Sequence, residues 1–244
     1  MSRVVFAFFL CVSSLWARDL VVGMQLQFPP FETIDTEGKP KGISVELAEA
    51  LGGYLGERVV IQDYPFIGLI PALQAKHIDC IISSMSVTAE RLKAIDFSNP
   101  YIKTGLCLLI NAKSTLQGIE DADQKGRVIA VKQGTTGELY ALSHLKKAKV
   151  LSLGEEAACV LEVVQGKADA FIYDQFSVYM HWKENPTTTR AILKPFKEEE
   201  WAIGLRKDDP LKNKINLFLS QFLSSGKMKA LVQQYYNIPM GNNE

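Results

Sequence analysis

The residues best suited to chemistry lie in the segment 63–101, DYPFIGLIPALQAKHIDCIISSMSVTAERLKAIDFSNPY. Ser83, Ser84, Ser86 and Thr88 offer hydroxyls and backbone N–H groups where an apolar run turns into a helical one. Thr88 suits the N-cap, Glu90 the first turn, and Arg91 follows. Free N–H groups at a helix start favour an anion, and the guanidinium fork of Arg91 matches a carboxylate. The same residues also read as an ordinary capped turn beside a solvated arginine. A second candidate is Asp174, directly after the apolar run Ala170, Phe171, Ile172, Tyr173. An aspartate there faces the crevice where open α/β sheets bind ligands, and it is equally suited to capping a helix that starts at Gln175.

The elements that must position these groups follow from periodicity. Leu69, Ile70, Leu73 and Ile78 recur at near-helical spacing and predict a helix over 66–76, while Cys80, Ile81 and Ile82 suit a buried parallel strand. Further strands are predicted over 20–24, 58–62, 105–110, 128–131, 149–151, 170–173 and 201–205. Helices are predicted over 43–55, 136–146, 155–165, 175–183, 211–224 and 227–235, with a hairpin turn at Gly38. Alternation of strands and helices argues for α/β units with mainly parallel sheets. The residues 242–244 read as a frayed tail.

Composition narrows the function. The chain has 244 residues, 47% of them hydrophobic and 22% charged, with zero formal net charge, so neither nucleic acid nor an anionic membrane surface is indicated as a partner. Arg3 precedes the apolar run 4–15, too short to span a membrane, and Trp16-Ala17 follows; this reads as a signal peptide over 1–17. Cys11 inside that run lacks the small preceding residues of a lipoprotein signal. The remaining Cys80, Cys107 and Cys159 fit buried thiols, with one disulfide as the alternative, and form no metal or redox motif. His77, His144 and His181 are scattered and form no ligand cluster. No cofactor or metal is implied.

Seven pieces of the chain, in this order, resemble the family 3 solute-binding proteins, periplasmic receptors for polar amino acids that feed ABC importers. They are PPFE from Pro29, GISVELAEALG from Gly42, FIGLIPALQAKHID from Phe66, SSMSVTAERLKAIDFSNPY from Ser83, VIAVKQGTTGELY from Val128, GKADAFIYD from Gly166 and AIGLRKDDPL from Ala202. The resemblance implies an α/β, two-lobed periplasmic binding protein fold, each lobe a mainly parallel sheet flanked by helices, joined by a two-strand hinge near 101–105 and 197–201. Lobe 1 would hold 18–104 and 201–244, and lobe 2 would hold 105–200. A monomer that closes over its ligand is implied, as are periplasmic localisation and permease subunits of an ABC transporter as partners.

The resemblance also implies a binding site. Arg91, with N–H groups at Ser86 and Thr136, corresponds to the carboxylate site; Ser86 would open a helix in one lobe, and Thr135-Thr136 in QGTTGE would open one in the other. Read alone, QGTTGE is a plain strand-to-helix turn. Asp174 corresponds to the partner of the ligand ammonium, aided by Ser84, with Ser83 beside it. Phe28, in a Pro-rich loop, and Phe66 correspond to the aromatics that sandwich the ligand, although Phe66 is equally suited to the core. Gln25, Lys132 and Tyr173 would then select the side chain. Neutral Gln25 opposite Lys132 favours glutamine or glutamate over a cation, because Lys132 would repel arginine or lysine. The SSMS segment resembles basic amino acid receptors, leaving arginine, lysine, histidine or cystine as the alternative. Some relatives on this scaffold are cyclohexadienyl dehydratases, but no catalytic set is apparent in this chain, so a receptor rather than an enzyme is expected.

Overall fold

The structure, a computed structural model, describes residues 18–236. The signal peptide and tail expected at 1–17 and 242–244 lie outside them. The chain begins with β1 (Asp19–Met24), the hairpin β2 (Thr33–Ile34) and β3 (Pro40–Lys41), then α1 (Ile43–Leu55), β4 (Arg58–Asp63), α2 (Leu69–Gln74), β5 (Cys80–Ile81), α3 (Ala89–Ala94) and β6 (Asp96–Asn111). It continues with β7 (Val128–Lys132), α4 (Thr136–His144), β8 (Lys149–Leu153), α5 (Glu156–Val164), β9 (Ala170–Asp174), α6 (Gln175–Glu184), β10 (Thr189–Leu205), α7 (Leu211–Ser224) and α8 (Lys227–Tyr236). This is the α/β fold expected of a periplasmic binding protein.

Periodicity explains most of these elements. In α1, Ile43, Leu47, Ala48 and Leu51 are buried at helical spacing, and Gly56, left-handed at φ 70°, ends the helix by donating its N–H to Gly52 O. The predicted helix over 66–76 is a 3-10 turn at Phe66–Gly68 followed by the shorter α2.

Eight strands form one sheet in the order β4-β1-β5-β10-β6-β9-β7-β8. On one side β1 runs parallel to β4 and β5; on the other β7 runs parallel to β8 and β9. Between them β6 and β10 pair antiparallel over most of their length and carry the sheet from one half to the other. Both are far longer than predicted. Their outer portions are rich in polar residues and each contains a proline, so they lack strand periodicity; pairing with each other is what extends them.

The segments 101–105 and 197–201 lie side by side, with Ile102 opposite Trp201 and Gly105 opposite Glu198. The register shifts between Ile192 and Lys197, beside Pro195. At this irregularity the backbones approach closely: a Cβ on Gly105 would lie 2.5 Å from Lys197 O and 2.6 Å from Pro195 Cβ. Gly105→Ala must therefore push the two strands apart, and urea denaturation should show a loss of about 1–3 kcal/mol. Wild-type stability in that variant would show that this contact does not constrain the crossing.

Candidate functional site

Where the two halves of the sheet meet, a partly open cavity lies beside the crossing strands. All twelve residues singled out from the sequence line it: Gln25, Phe28, Phe66, Ser83, Ser84, Ser86, Arg91, Lys132, Thr135, Thr136, Tyr173 and Asp174. Four lining residues had not been anticipated: Glu32, Leu106, Glu199 and Trp201.

Arg91 is buried although charged. Its Nη1 donates to Ser86 O at 2.6 Å and its Nη2 reaches across to Gly134 O at 3.0 Å, so it touches both halves. Its guanidinium carbon lies 5.4 Å from the centre of the Phe66 ring, a stacking geometry that favours a cation. Burial lowers its pKa to about 10, against the opposing pull of Glu199, which keeps it charged at neutral pH. Phe66 therefore does both jobs weighed for it: it packs against the core cluster around Leu69 and Leu73, and its ring lines the cavity.

Two helix starts flank the arginine. Thr88 caps α3, accepting from Arg91 N at 3.1 Å, as its position in the sequence suggested. Ser86 does not open that helix, contrary to expectation. It lies ahead of the cap and bridges Trp201, because Val87 N donates to Glu200 O and Ala202 N to Met85 O. The other turn is closed by a reciprocal pair of bonds: the cap Thr135 accepts at Oγ1 from Glu138 N, and Glu138 Oε2 accepts from Gly134 N, one residue ahead of the cap. That arrangement places Thr136 at the first position of α4, beside the cavity.

Asp174 serves the helix and the cavity together. Its Oδ1 accepts from Phe176 N at 2.9 Å and Ser177 N at 3.1 Å, capping α6, while Oδ2 has no partner among the described residues. Burial is the main reason its pKa rises to about 7; nearby Glu156 adds to the rise and the two N–H groups oppose it. Glu156 in turn pairs with His181 Nε2 at 2.8 Å and accepts from Ser177 Oγ at 2.6 Å.

Towards the far side, Lys132 is 1% exposed, and no carboxylate lies within ion-pair distance of it among the described residues. Its Nζ lies 5.9 Å from the ring centre of Phe66 and 5.8 Å from that of Tyr173. One end of the Gln25 amide donates to Gln27 Oε1 at 3.3 Å, and the other end is buried without a partner. Glu32 accepts from Ser83 Oγ at 3.4 Å and Ser84 Oγ at 3.2 Å. Burial drives its pKa up to about 8, against those hydroxyls and Lys132. Phe28 meets Tyr173 and Trp201 edge-on, both at 5.9 Å, and closes the apolar wall.

The remaining candidates are structural. Cys80, Cys107 and Cys159 are free and buried, which resolves the choice between thiols and a disulfide. Among the described residues no cluster of three or more His, Cys, Asp or Glu side chains is placed to hold a metal. No helix among them is long and apolar enough to cross a membrane.

A two-halved α/β chain enclosing a cavity with a buried arginine on one side and a buried aspartate on the other defines a ligand-capturing receptor. Residues 20–238 match the model of the bacterial extracellular solute-binding proteins, family 3, and the chain belongs to that family. The L-cystine-binding protein TcyJ of Escherichia coli is 26% identical over 89% of this chain and 82% of its own. An L-arginine-binding protein of Pseudomonas aeruginosa is 28% identical, over 91% of this chain and 90% of its own. Among solved structures, a putative binding component of an ABC transporter from Wolinella succinogenes, complexed with lysine, aligns with a TM-score of 0.84 at 29% identity. That alignment covers 93% of this chain and 99% of the other.

The buried acids make stability depend on pH. Folded Asp174 and Glu32 hold their protons to about 7 and about 8, well above the ordinary carboxylate range, so the folded state binds more protons than the unfolded one from about pH 4 to about pH 8. Stability therefore falls as pH rises through that window. His181, whose pKa its carboxylate partners Glu156 and Glu184 raise against burial, acts in the same direction. Thermal unfolding of the ligand-free protein should show a midpoint that drops from pH 5 to pH 8, with a shallower slope in Glu32→Gln. A midpoint that rises over this range would contradict the assignment.

Proposed function

We propose that the chain is the periplasmic substrate-binding component of an ABC importer for a polar L-amino acid. It captures that ligand by hinge closure of two lobes, 18–104 with 201–244 and 105–200, about β6 and β10. The observation that carries this reading is the pairing of Arg91 with Asp174 across one cavity. An α-amino acid brings a carboxylate and an ammonium, and when buried each needs a charged partner. Arg91 with the N–H groups of Ser86 and Thr136 serves the carboxylate; Asp174 and Ser84 serve the ammonium; Phe28 and Phe66 enclose the aliphatic stem. Receptor function needs no chemistry from these groups. Ligand contacts made from both lobes favour the closed arrangement, the form that would dock on permease subunits.

The relatives favour the basic amino acids and cystine over glutamine and glutamate, the ligands preferred on sequence grounds: those compared above are named for cystine or arginine, and the Wolinella protein holds lysine. Within that group Lys132 favours cystine. Its buried ammonium lacks a carboxylate partner, and cystine carries a second carboxylate at its far end, with a second ammonium for Glu32 and Gln25.

A thermal-shift screen of the twenty amino acids with cystine and ornithine tests both levels. A ligand at a hundredfold excess over its Kd adds about 2.7 kcal/mol, a shift of roughly 5–10 °C for a chain of this size. The largest shifts are expected with cystine, arginine, lysine or histidine. A dominant response to glutamine or glutamate would reverse the ligand order, and no response at all would overturn the reading. Asp174→Asn retains an acceptor for the α6 cap and removes the charge. It should weaken the responding amino acid by about 2–5 kcal/mol in titration calorimetry, and a loss below fivefold would remove Asp174 from the ammonium site.

A further inference from the structure

Glu199 lies on β10 between exposed Glu198 and Glu200, yet it is only 8% exposed. Its Oε2 accepts two hydrogen bonds, one from Ser86 Oγ at 2.7 Å and one from Thr136 Oγ1 at 2.8 Å. Its Oε1 lies 3.4 Å from Lys197 Nζ, an ion-pair distance without hydrogen-bond alignment. The two donors come from opposite halves of the molecule: Ser86 follows β5, and Thr136 opens α4 after β7. One carboxylate oxygen on the crossing strand therefore joins the two turns that flank Arg91.

This arrangement divides labour within each turn. The Ser86 and Thr136 hydroxyl protons are committed to Glu199, and Ser86 O is taken by Arg91. What remains to meet an anion is the backbone N–H of Ser86 and of Thr136, for which no carbonyl acceptor stands among the described residues. Each hydroxyl bond is charge-assisted, the stronger class, and both are shielded from water. Fixing the hydroxyls fixes the turns, and with them the direction in which both N–H groups point.

We propose that Glu199 is a positioning residue for ligand binding: it ties the Ser86 turn to the Thr136 turn, so that closure and the aiming of both N–H groups occur as one event. Glu199 acts through these two residues and does not itself contact the ligand. The inference rests on reading the cavity as an amino acid site. It predicts an energetic coupling that a residue serving only the stability of β10 would not produce. Ser86 and Thr136 make no hydrogen bond to each other, so their hydroxyls communicate through Glu199.

The test is a double-mutant cycle. Calorimetric Kd values are measured for whichever of L-cystine, L-arginine, L-lysine, L-histidine and L-glutamine shifts the wild type most. Ser86→Ala, Thr136→Val and the double variant are compared in the native and the Glu199→Ala backgrounds, with folding checked by circular dichroism. Glu199→Leu, similar in size and without an acceptor, replaces Glu199→Ala should the latter fail to fold. In the native background the two hydroxyl losses should be non-additive by about fivefold or more; in the Glu199 variant they should be additive. Glu199→Ala alone should weaken binding at least tenfold and reduce ligand-induced compaction in small-angle scattering. Additive hydroxyl losses in the native background, or a Glu199→Ala affinity within twofold of wild type, would overturn the proposal and leave the site assignment standing. A wild type that binds none of the five and responds to no other amino acid in the thermal-shift screen would overturn that assignment and the role of Glu199 with it.

Discussion

The antiparallel pairing of β6 with β10 is the constraint on which everything else depends. Each half of the sheet is built from parallel pairs, and parallel pairs leave their edges to be joined by crossovers. Among the described residues only β6 and β10 run through both halves, so the relative placement of the halves is decided by how these two strands pair and where their register breaks. That break lies beside Gly105 and Pro195, two pairs from Glu199 opposite Thr104. The backbone irregularity and the buried carboxylate thus occupy the same few residues. Ser86 is drawn into this arrangement by its bridge to Trp201, and the cavity forms against strands already held by the sheet.

Burying Arg91 carries an electrostatic cost, and its partners show how it is met. Two carbonyls and an aromatic face replace water around the guanidinium, and one of those carbonyls, Gly134 O, belongs to the opposite half. Gly134 has φ +75°, a conformation open to glycine at little cost, and a side chain there would press on Ile67, whose Cβ would be 3.2 Å away. The closeness of the halves at this point and the solvation of Arg91 are therefore one problem with one solution. Separating the halves would remove a hydrogen bond from a charged group, which water would have to replace.

Much of this was legible in the sequence because the signals are local. Ile43–Leu55 and Leu211–Ser224 have the predicted limits, since apolar spacing defines each of them. Thr88 and Asp174 are caps because a short polar side chain just ahead of a helix has a nearby backbone donor to satisfy. Of the cavity-lining residues, Ser83, Ser84, Ser86, Arg91 and Asp174 were marked by local patterns, whereas Gln25, Phe28, Phe66, Lys132, Thr135, Thr136 and Tyr173 were reached through motif resemblance, which carries spatial information that no local pattern holds. Glu199 and Glu32 escaped for opposite reasons. Lys197 to Glu200 reads as a solvated charge run, and only strand alternation, which puts Glu199 on the face of buried Trp201, marks it as inward-pointing. Glu32 sits at the end of PPFE, and its burial depends on Ser83 and Ser84, distant in sequence. The long outer portions of β6 and β10 were missed because pairing, not propensity, makes them strands.

Selectivity at the far end of the cavity follows from which charges are already engaged, more than from their sum. Glu32, Asp174 and Glu199 face Arg91 and Lys132 around the lining, a formal excess of acid. Yet Glu199 is held by two hydroxyls, Asp174 spends one oxygen on its helix, and Glu32 accepts from two serines. Glu32 also titrates near 8, so at neutral pH much of it is uncharged. Lys132 alone has no hydrogen-bond or ion-pair partner among the described residues, and it sits between two aromatic rings that hold it in place. A guanidinium placed beside it meets repulsion from the Lys132 ammonium. A carboxylate meets an ammonium already desolvated, so only the carboxylate's own desolvation opposes the attraction. The formal acidic count and the engagement of each charge therefore differ, and it is the engagement that sets the electrostatic character of the cavity's far end.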